Sequence, residues 1–549
     1  MSSPLLMIDK TQQVKALFAK FDQINDPQVS SFTASIPEMF EDAVARVQSS
    51  KILVSDFVLR NRIALAAFVR KFHHDAGTLT ASVENSIAVL GDPTTRIVVS
   101  THQPNLFAYG GIFRKIVLLE TLKNSVEKLD RNKKIVNLFL IVDHDFIDES
   151  WIRLAQLPSM QHSSGVMELR LPVSESRRWQ MVCNTPVPGQ AVLDNWKRQL
   201  KLWIKKSDSG LDKKILNGNL ELFWQQVQSS HSRAKSYADL NSFLMSKIVN
   251  ETWNYSTLFV RLSEISPVFE NGFTFLISNF GIYSDTLRRT ERMFIKHNID
   301  TGVSSSSHVH APVWVHCNCG SKAPTKIINA DDGLALIGIC MSCKKDLRLS
   351  LGSPDDPDLS KAIRDVSPRA IPIPLLLSRD LGISCYASGT GGLGYLVDGS
   401  VIGKRLGIDF PPVLVWPSRD IYSGTGQAEA IASIRAMEIK DIDAHLEILR
   451  RRSKTYEERI MPLLAERSEK TSIGEPVDKL LAQLFTLKEE QRKIRRHIST
   501  VERIRNAVSI SPCIVDYAVN FGIVTAEKTW RNHLEHNGNL SSHVQFSQT

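Results

Sequence analysis

A histidine, a glutamine, a proline and an asparagine crowd the end of one short apolar run. After Ile97, Val98 and Val99 the chain reads STHQPNLFAYGG over residues 100–111. A turn needs only one or two residues of this kind, so His, Gln, Pro and Asn together point to a ligand. His102 and Gln103 can donate to phosphate or carboxylate oxygens or to a developing oxyanion, Asn105 adds a further polar contact, and Pro104 fixes the turn. A second polar end, Asp143, His144 and Asp145, follows the apolar run IVNLFLIV at 135–142. It offers an acid–base set, with Asp143 or His144 as the base, or a magnesium site suited to nucleotide phosphates; a helix-capping turn is the structural alternative. A third, SGTGG at 388–392, follows ISCYA at 383–387. Gly389, Gly391 and Gly392 would let backbone amides approach a substrate, while Gly389, Gly391 and Gly394 match a GxGxxG pattern with Asp409 at the distance of an acidic partner. A phosphate- or carboxylate-binding turn is favoured over a dinucleotide site, and a plain tight turn is the alternative.

The cysteines make a different site. Cys317 and Cys319 form a CxC pair, and Cys340 and Cys343 a CxxC pair about twenty residues later. Two short spacings across a hairpin-length spacer bring four thiolates to the corners of a tetrahedron, the arrangement zinc takes with sulfur at about 2.3 Å. With four cysteine ligands the site is closed, hence structural rather than catalytic. His308, His310 and His316 are nearby but read as ordinary strand residues.

The elements that must position these groups are partly legible. Residues 97–99, the periodic Ile112, Ile116, Leu119, Leu122 and Val126, and the run 135–142 have the grammar of strand, helix, strand, which implies parallel pairing. FTFLI at 273–277, ending in Ser278 and Asn279, and 383–387 are read as further strands. In an open α/β sheet ligands bind outside the carboxyl ends of the strands, so the three polar ends would converge on one crevice. The expected organisation is a helical flank over 1–95 and a Rossmann-like parallel core over 96–150, 258–303 and 356–425. Insertions of mixed structure (151–257) and of a zinc ribbon (304–355, entered through the serine run 304–307) interrupt it. Within 151–260, Trp151, Trp179, Trp196, Trp203, Trp224 and Trp253 stand among signals too mixed to resolve. A coiled-coil hairpin follows over 426–508: Leu480, Leu484, Leu487, Gln491, Ile494, Ile498, Val501, Arg505 and Val508 repeat with a 4-3 spacing. Ile431, Ile434, Ile439, Ile442, Leu446 and Leu449 mark its partner helix, with a break at KTSIGEPVD. The seam predicts an antiparallel pair, with a homodimer through it as the alternative. The polar tail 509–549 is expected to fray from residue 537.

Bulk composition narrows the function classes. A chain of 549 residues with 42% hydrophobic and 23% charged residues is ordinary globular protein. The N-terminus lacks a basic region leading into an apolar core, and no run of eighteen apolar residues occurs, so a cytoplasmic location without membrane association is expected. The net charge of +9 is mild for 61.6 kDa. Its densest basic piece, 488–505, reads as a solvated helix face. Residues 317–348 offer Lys322, Lys326, Lys344, Lys345 and Arg348 but no aromatic, so nucleic acid is not the expected partner; a non-catalytic zinc-ribbon nucleic-acid binder is the rival from another class.

Several segments carry a resemblance. PLLLSRDLGISCYASGTGGLGYL (374–396), GIDFPPVLVWPSR (407–419), LFLIVDHDF (138–146) and LFVRLSEI (258–265), followed by the hairpin, resemble the bacillithiol biosynthesis cysteine-adding enzymes. That family joins a Rossmann-like core, similar to class I aminoacyl-tRNA synthetases, to a long coiled coil. The resemblance implies a ligase joining cysteine to an amino-sugar conjugate, glucosaminyl malate, in low-molecular-weight thiol biosynthesis, with ATP or another nucleotide and magnesium. Where the family carries Gly-Pro-Gly-Glu this chain has GTGG, with Gly392 in place of the glutamate, and Val142 replaces a glutamate before Asp-His-Asp. THQPNLFAYGGIFRKI with DHDFIDESWIR resembles the WbqC-like proteins, which implies an amino-sugar acyl or aminoacyl transferase. On this reading His102, Asp143 and His144 are catalytic; Gln103, Asn105, Asp145, Gly389, Gly391, Gly392, Tyr395 and Arg419 bind substrate or nucleotide.

Overall fold

The computed structural model describes residues 10–50, 54–302, 307–331, 333–417 and 419–546. Residues 304–306 of the serine run lie outside them, as do the first nine residues and the last three. In chain order the strands are β1 Arg96–His102, β2 Ile135–Ile141, β3 Leu154–Pro158, β4 Val166–Arg170, β5 Leu258–Arg261, β6 Val313–His316, β7 Lys322–Ala330, β8 Gly333–Ile339, β9 Asp346–Gly352, β10 Val366–Pro368, β11 Cys385–Ser388, β12 Val413–Val415, β13 Asp420–Tyr422 and β14 Val544–Phe546.

The main sheet has the order β12-β11-β1-β2-β5, and every neighbouring pair in it is parallel. Both of its faces are buried, which is why these strands read as unbroken apolar runs. Along β2, Ile135, Phe139 and Ile141 enter one core while Val136, Leu138 and Leu140 enter the other. From β1 the chain builds outward through β2 to β5, then returns to the opposite side of β1 for β11 and β12. The order therefore reverses beside β1, where the carboxyl ends of a parallel sheet leave a crevice.

The N-terminal helices are bolted to this sheet rather than set apart from it. On the helix Asp56–Ala76, the buried Arg62 donates to the carbonyls of Thr95, Leu381 and Gly382, and His73 Nε2 accepts from the amide of Phe259 in β5. The region 151–257, opaque in sequence, is the β3–β4 hairpin followed by the helices Gln190–Lys206, Lys213–Arg233 and Tyr237–Ser246. Trp196, Trp203, Trp224 and Trp253 are core residues there. FTFLI is not a strand: 273–277 lies inside the helix Glu270–Ser278, with Phe273, Leu276 and Ile277 buried at helical spacing. The fifth strand is instead β5, from the short run LFVR.

The cysteine segment is an antiparallel sheet, β10-β6-β7-β8-β9. Val313, Val315, Leu334, Leu336 and Leu351 anchor it in the second core. Two long helices, Ile442–Ser472 and Asp478–Ser509, then lie along each other. Contacts between Asp443 and Arg505, Arg450 and Glu502, and Ser453 and Gln491 run in opposite directions along the two, so they are antiparallel. The partner helix does not extend back to 431: Ile431 and Ile434 belong to the separate helix Thr425–Ala436, and the chain turns at Glu438, whose φ is +53°. The tail does not fray from residue 537 either, because β14 pairs with β13 and buries Val544 and Phe546.

Candidate active site and metal centre

A cleft of about 620 Å³ opens at the carboxyl edge of the main sheet. Thr101, His102 and Gln103 from the end of β1, His144 and Asp145 after β2, and Ser388, Gly389, Gly391 and Gly392 after β11 all line it. Three polar strand ends expected to meet do meet. Tyr395, on the helix Leu393–Leu406 that follows the glycine turn, lines it as well, and Pro368, Ala370 and Ile373 close the ribbon side.

The histidines are both fixed and neutral. His102 Nδ1 faces the carbonyl of Gln103 at 3.2 Å, which places the ring proton there and leaves Nε2 to accept from the Tyr109 hydroxyl at 3.1 Å. Burial, with the nearby Lys115 charge, pushes its pKa down to about 3. His144 Nε2 lies 3.0 Å from the Pro368 carbonyl, which can only accept, so the proton is on Nε2. Its Nδ1 is then a bare lone pair, buried and without a partner among the described residues. Burial, together with the Lys322 charge, holds this ring well below its ordinary pKa.

Asp143 does not belong with them. Its carboxylate is fully buried away from the cleft and accepts from the Ser263 amide at 2.9 Å and the Ser263 hydroxyl at 2.6 Å, tying the end of β2 to the loop after β5. Burial raises its pKa against the opposing pull of Arg261 and Ser263. An Asp-His-Asp magnesium site is therefore not assembled; among the described residues the four cysteines are the one group placed to share a metal. Asp145 does reach the cleft, where its Oδ2 accepts from Gln103 Nε2 at 2.9 Å. Asn105 lines an adjoining cavity with Leu106 and Phe107 instead. Arg419 is engaged elsewhere, donating to the carbonyls of Ser509 and Ile510 at the end of the second long helix.

The glycine turn has a physical signature of its own. A Cβ added at Gly389 or Gly391 would meet no protein atom within 4 Å, and neither residue has a positive φ. Neither packing nor backbone conformation demands glycine at these two positions. At Gly392 a Cβ would lie 2.5 Å from Ser388 Oγ and 2.9 Å from the Tyr395 hydroxyl, so that position is closed to larger residues.

Two buried lysines went unread in the sequence. Lys115 lines the cleft and donates to the Thr101 carbonyl at 2.8 Å. It sits three residues after Ile112 and four before Leu119, on the apolar stripe of its helix, and that placement was the available signal. Lys322, the first residue of β7, lies 3.7 Å from Asp145 Oδ1 with its Nζ over the rings of Trp314 and Phe146 at 4.5 and 4.7 Å. Tyr386, whose hydroxyl is 2.5 Å from Thr101 Oγ1, completes the floor.

The four cysteine sulfurs all lie within 4.8 Å of one another, with Cys317 and Cys343 at 3.6 Å and Cys319 and Cys340 at 3.5 Å. Sulfurs on a zinc tetrahedron at about 2.3 Å from the metal stand roughly 3.8 Å apart, so the donor set fits. Each pair sits in a tight turn, one closed by Gly320 at positive φ and the other by Lys344. His316 and His308 are not ligands: they are bonded to Ser367 and Glu291.

No protein-family model matches the sequence, and no curated protein matches it either.

Proposed function

We propose that the chain is an amide-forming ligase of the cysteine-adding type, joining an amino acid carboxyl to an amino-sugar amine in the cleft. In this reading the parallel core is Rossmann-like, the helical hairpin a coiled coil, the metal a structural zinc, and the setting the cytoplasm. The observation that carries it is His144: a neutral ring whose Nδ1 is a buried acceptor without a donor, at the meeting point of three strand ends. Amide formation with ATP consumes an acyl group activated through an acyl–O–P linkage; the new C–N bond forms as the C–O bond breaks, and the attacking amine must shed a proton. His144 Nδ1 is suited to accept it. The amine nitrogen turns acidic only as the C–N bond forms, so the proton moves to Nδ1 at that stage, and Asp145 is the carboxylate on the same cleft. The Gly389–Gly392 backbone is open to the activated carboxylate, and His102, Gln103 and Tyr386 sit where they can orient it.

The test is direct. Purified protein, ATP, cysteine and an amino-sugar acceptor are combined, and the conjugate is followed by mass spectrometry. His144→Gln keeps a donor for Pro368 and removes Nδ1, so it should lower kcat about 10²- to 10⁴-fold with metal content and Tm unchanged. Absence of an ATP-dependent conjugate in the native protein, or full activity in the variant, refutes the reading. Thr101, His102 and Gln103 of the THQPN segment line this cleft, which supports amino-sugar acyl transfer from a preformed donor as the second reading; conjugate formed without ATP would favour it.

A further inference from the structure

Only two lysines are buried among the described residues, Lys115 and Lys322, and they differ in one respect. Lys322 has the Asp145 carboxylate and two aromatic rings around its ammonium. Lys115 is 5% exposed, uses one of its three donors on the Thr101 carbonyl, and among the described residues has no carboxylate within ion-pair distance. Burial alone depresses its pKa, to about 7, with no acidic neighbour acting on it. An uncompensated buried ammonium is costly, and proteins keep one where something supplies the counter-charge.

The same cleft contains a second source of positive potential. The helix Leu393–Leu406 runs on from a 3-10 turn at Thr390–Gly392, and neither has a side-chain cap or an acidic residue in its first turn, so the Thr390 and Gly391 amides that open the run are unclaimed by side chains. Gly389 and Gly391 beside it leave the backbone open. We propose that Lys115 and this helix start together hold a phosphoryl group of the ligand, the ammonium serving as its counter-ion. A phosphoryl group has the charge and enough oxygens to take the lysine and several backbone amides at once, where a carboxylate has two oxygens. The proposal rests on the cleft being the ligand site, not on the reaction carried out there.

Inorganic pyrophosphate is the probe, titrated calorimetrically into the full-length, metal-loaded protein. One site per chain is expected. Lys115→Met should weaken binding at least about 30-fold, the scale of losing one partner of a buried charge pair. Gly391→Asp, whose side chain has open space, should abolish it by placing a carboxylate at the helix start. Lys326→Met, on the outer ribbon, should bind as the native protein does. Failure of the native protein to bind pyrophosphate overturns the proposal, as does undiminished binding by either cleft variant; because the Gly391 variant leaves Lys115 in place, the test survives misfolding of the lysine variant. If pyrophosphate binds through Lys115 but no amide is formed, the ligase reading falls and the phosphoryl site stands. If amide forms while pyrophosphate binding ignores Lys115, this proposal alone falls.

Discussion

Lys115→Met should make the protein more stable below neutral pH, and the size of the gain can be worked from the site. The native ammonium is buried without an anion, and burial brings its pKa from 10.5 to about 7. At 1.36 kcal/mol per pH unit this corresponds to a cost of about 5 kcal/mol wherever both folded and unfolded states carry the proton. Methionine fills similar volume without the charge but gives up the hydrogen bond to the Thr101 carbonyl, worth about 1 kcal/mol, leaving a net gain of about 4 kcal/mol. The sign with pH follows from linkage. Between pH 7 and 10.5 the unfolded chain binds the proton and the folded one does not, so native stability climbs through this window. The advantage of the variant is therefore full below pH 7 and gone by about pH 10.5. Scanning calorimetry of both proteins at pH 6 and pH 10 should show a Tm difference of about 3 °C at the lower pH for a chain of this length, and close to none at the higher. Lys322, also lowered by burial, is common to both proteins and drops out of the difference. A variant less stable at pH 6, or a gain that does not fade with pH, would show that Lys115 is already compensated, and the argument for a missing counter-ion would collapse.

Other substitutions probe the remaining parts. Cys340→Ser should release about one metal per chain by elemental analysis and raise hydrogen exchange across 317–321 and 340–345, while the main core holds its Tm; full metal retention would reject the site. Asp143→Ala should destabilise the fold by about 2 kcal/mol, because it removes two charge-assisted bonds from the half-buried Ser263 amide and hydroxyl, and denaturant titration reads this directly. Ile494→Asp would bury a charge between the two long helices and should cost several kcal/mol, seen as early proteolysis within 442–509; unchanged protease resistance would mean that the two helices do not depend on each other.

What could be read in advance follows the strength of local signals. β1, β2 and β11 were legible because strands buried on both faces spend every residue on apolar side chains, and the polar residues at their ends stand out by contrast. The cysteines were legible because ligand spacing is set by metal geometry rather than by tertiary context. FTFLI misled because five apolar residues satisfy either a strand or a buried helix turn, and only its partners decide. The bend at Glu438 carries neither Gly nor Pro, so the seam appeared continuous. Asp143 and His144 are adjacent in sequence yet face different surroundings, one clamped by Ser263 and the other lining the cleft. Nothing in DHD itself could separate them, because the separating partner lies 120 residues away.

The ribbon and the cleft are mechanically one object, which bears on what a metal held by the four cysteines would do in this fold. None of the four cysteines lines the cleft, so any influence of a metal bound there would be positional. The first cysteine turn is docked by the Gly320 carbonyl, which accepts from the Met181 amide and from Asn184 Nδ2. The neighbouring Val182 amide donates in turn to the carbonyl of Asp145. From the second turn, the Met341 amide donates to the carbonyl of Lys322, whose side chain approaches the Asp145 carboxylate. Both turns thus reach the same cleft residue, one through its backbone and the other through its charge partner. A tetrahedral centre on these cysteines would tolerate little displacement of its ligands, and so would fix the spacing of the two routes more tightly than a second apolar contact. Loosening the turns would leave Lys322 between its rings but free the backbone that sets its distance from Asp145. The carboxylate beside His144 would then lose its fixed neighbour before the parallel sheet lost any strand.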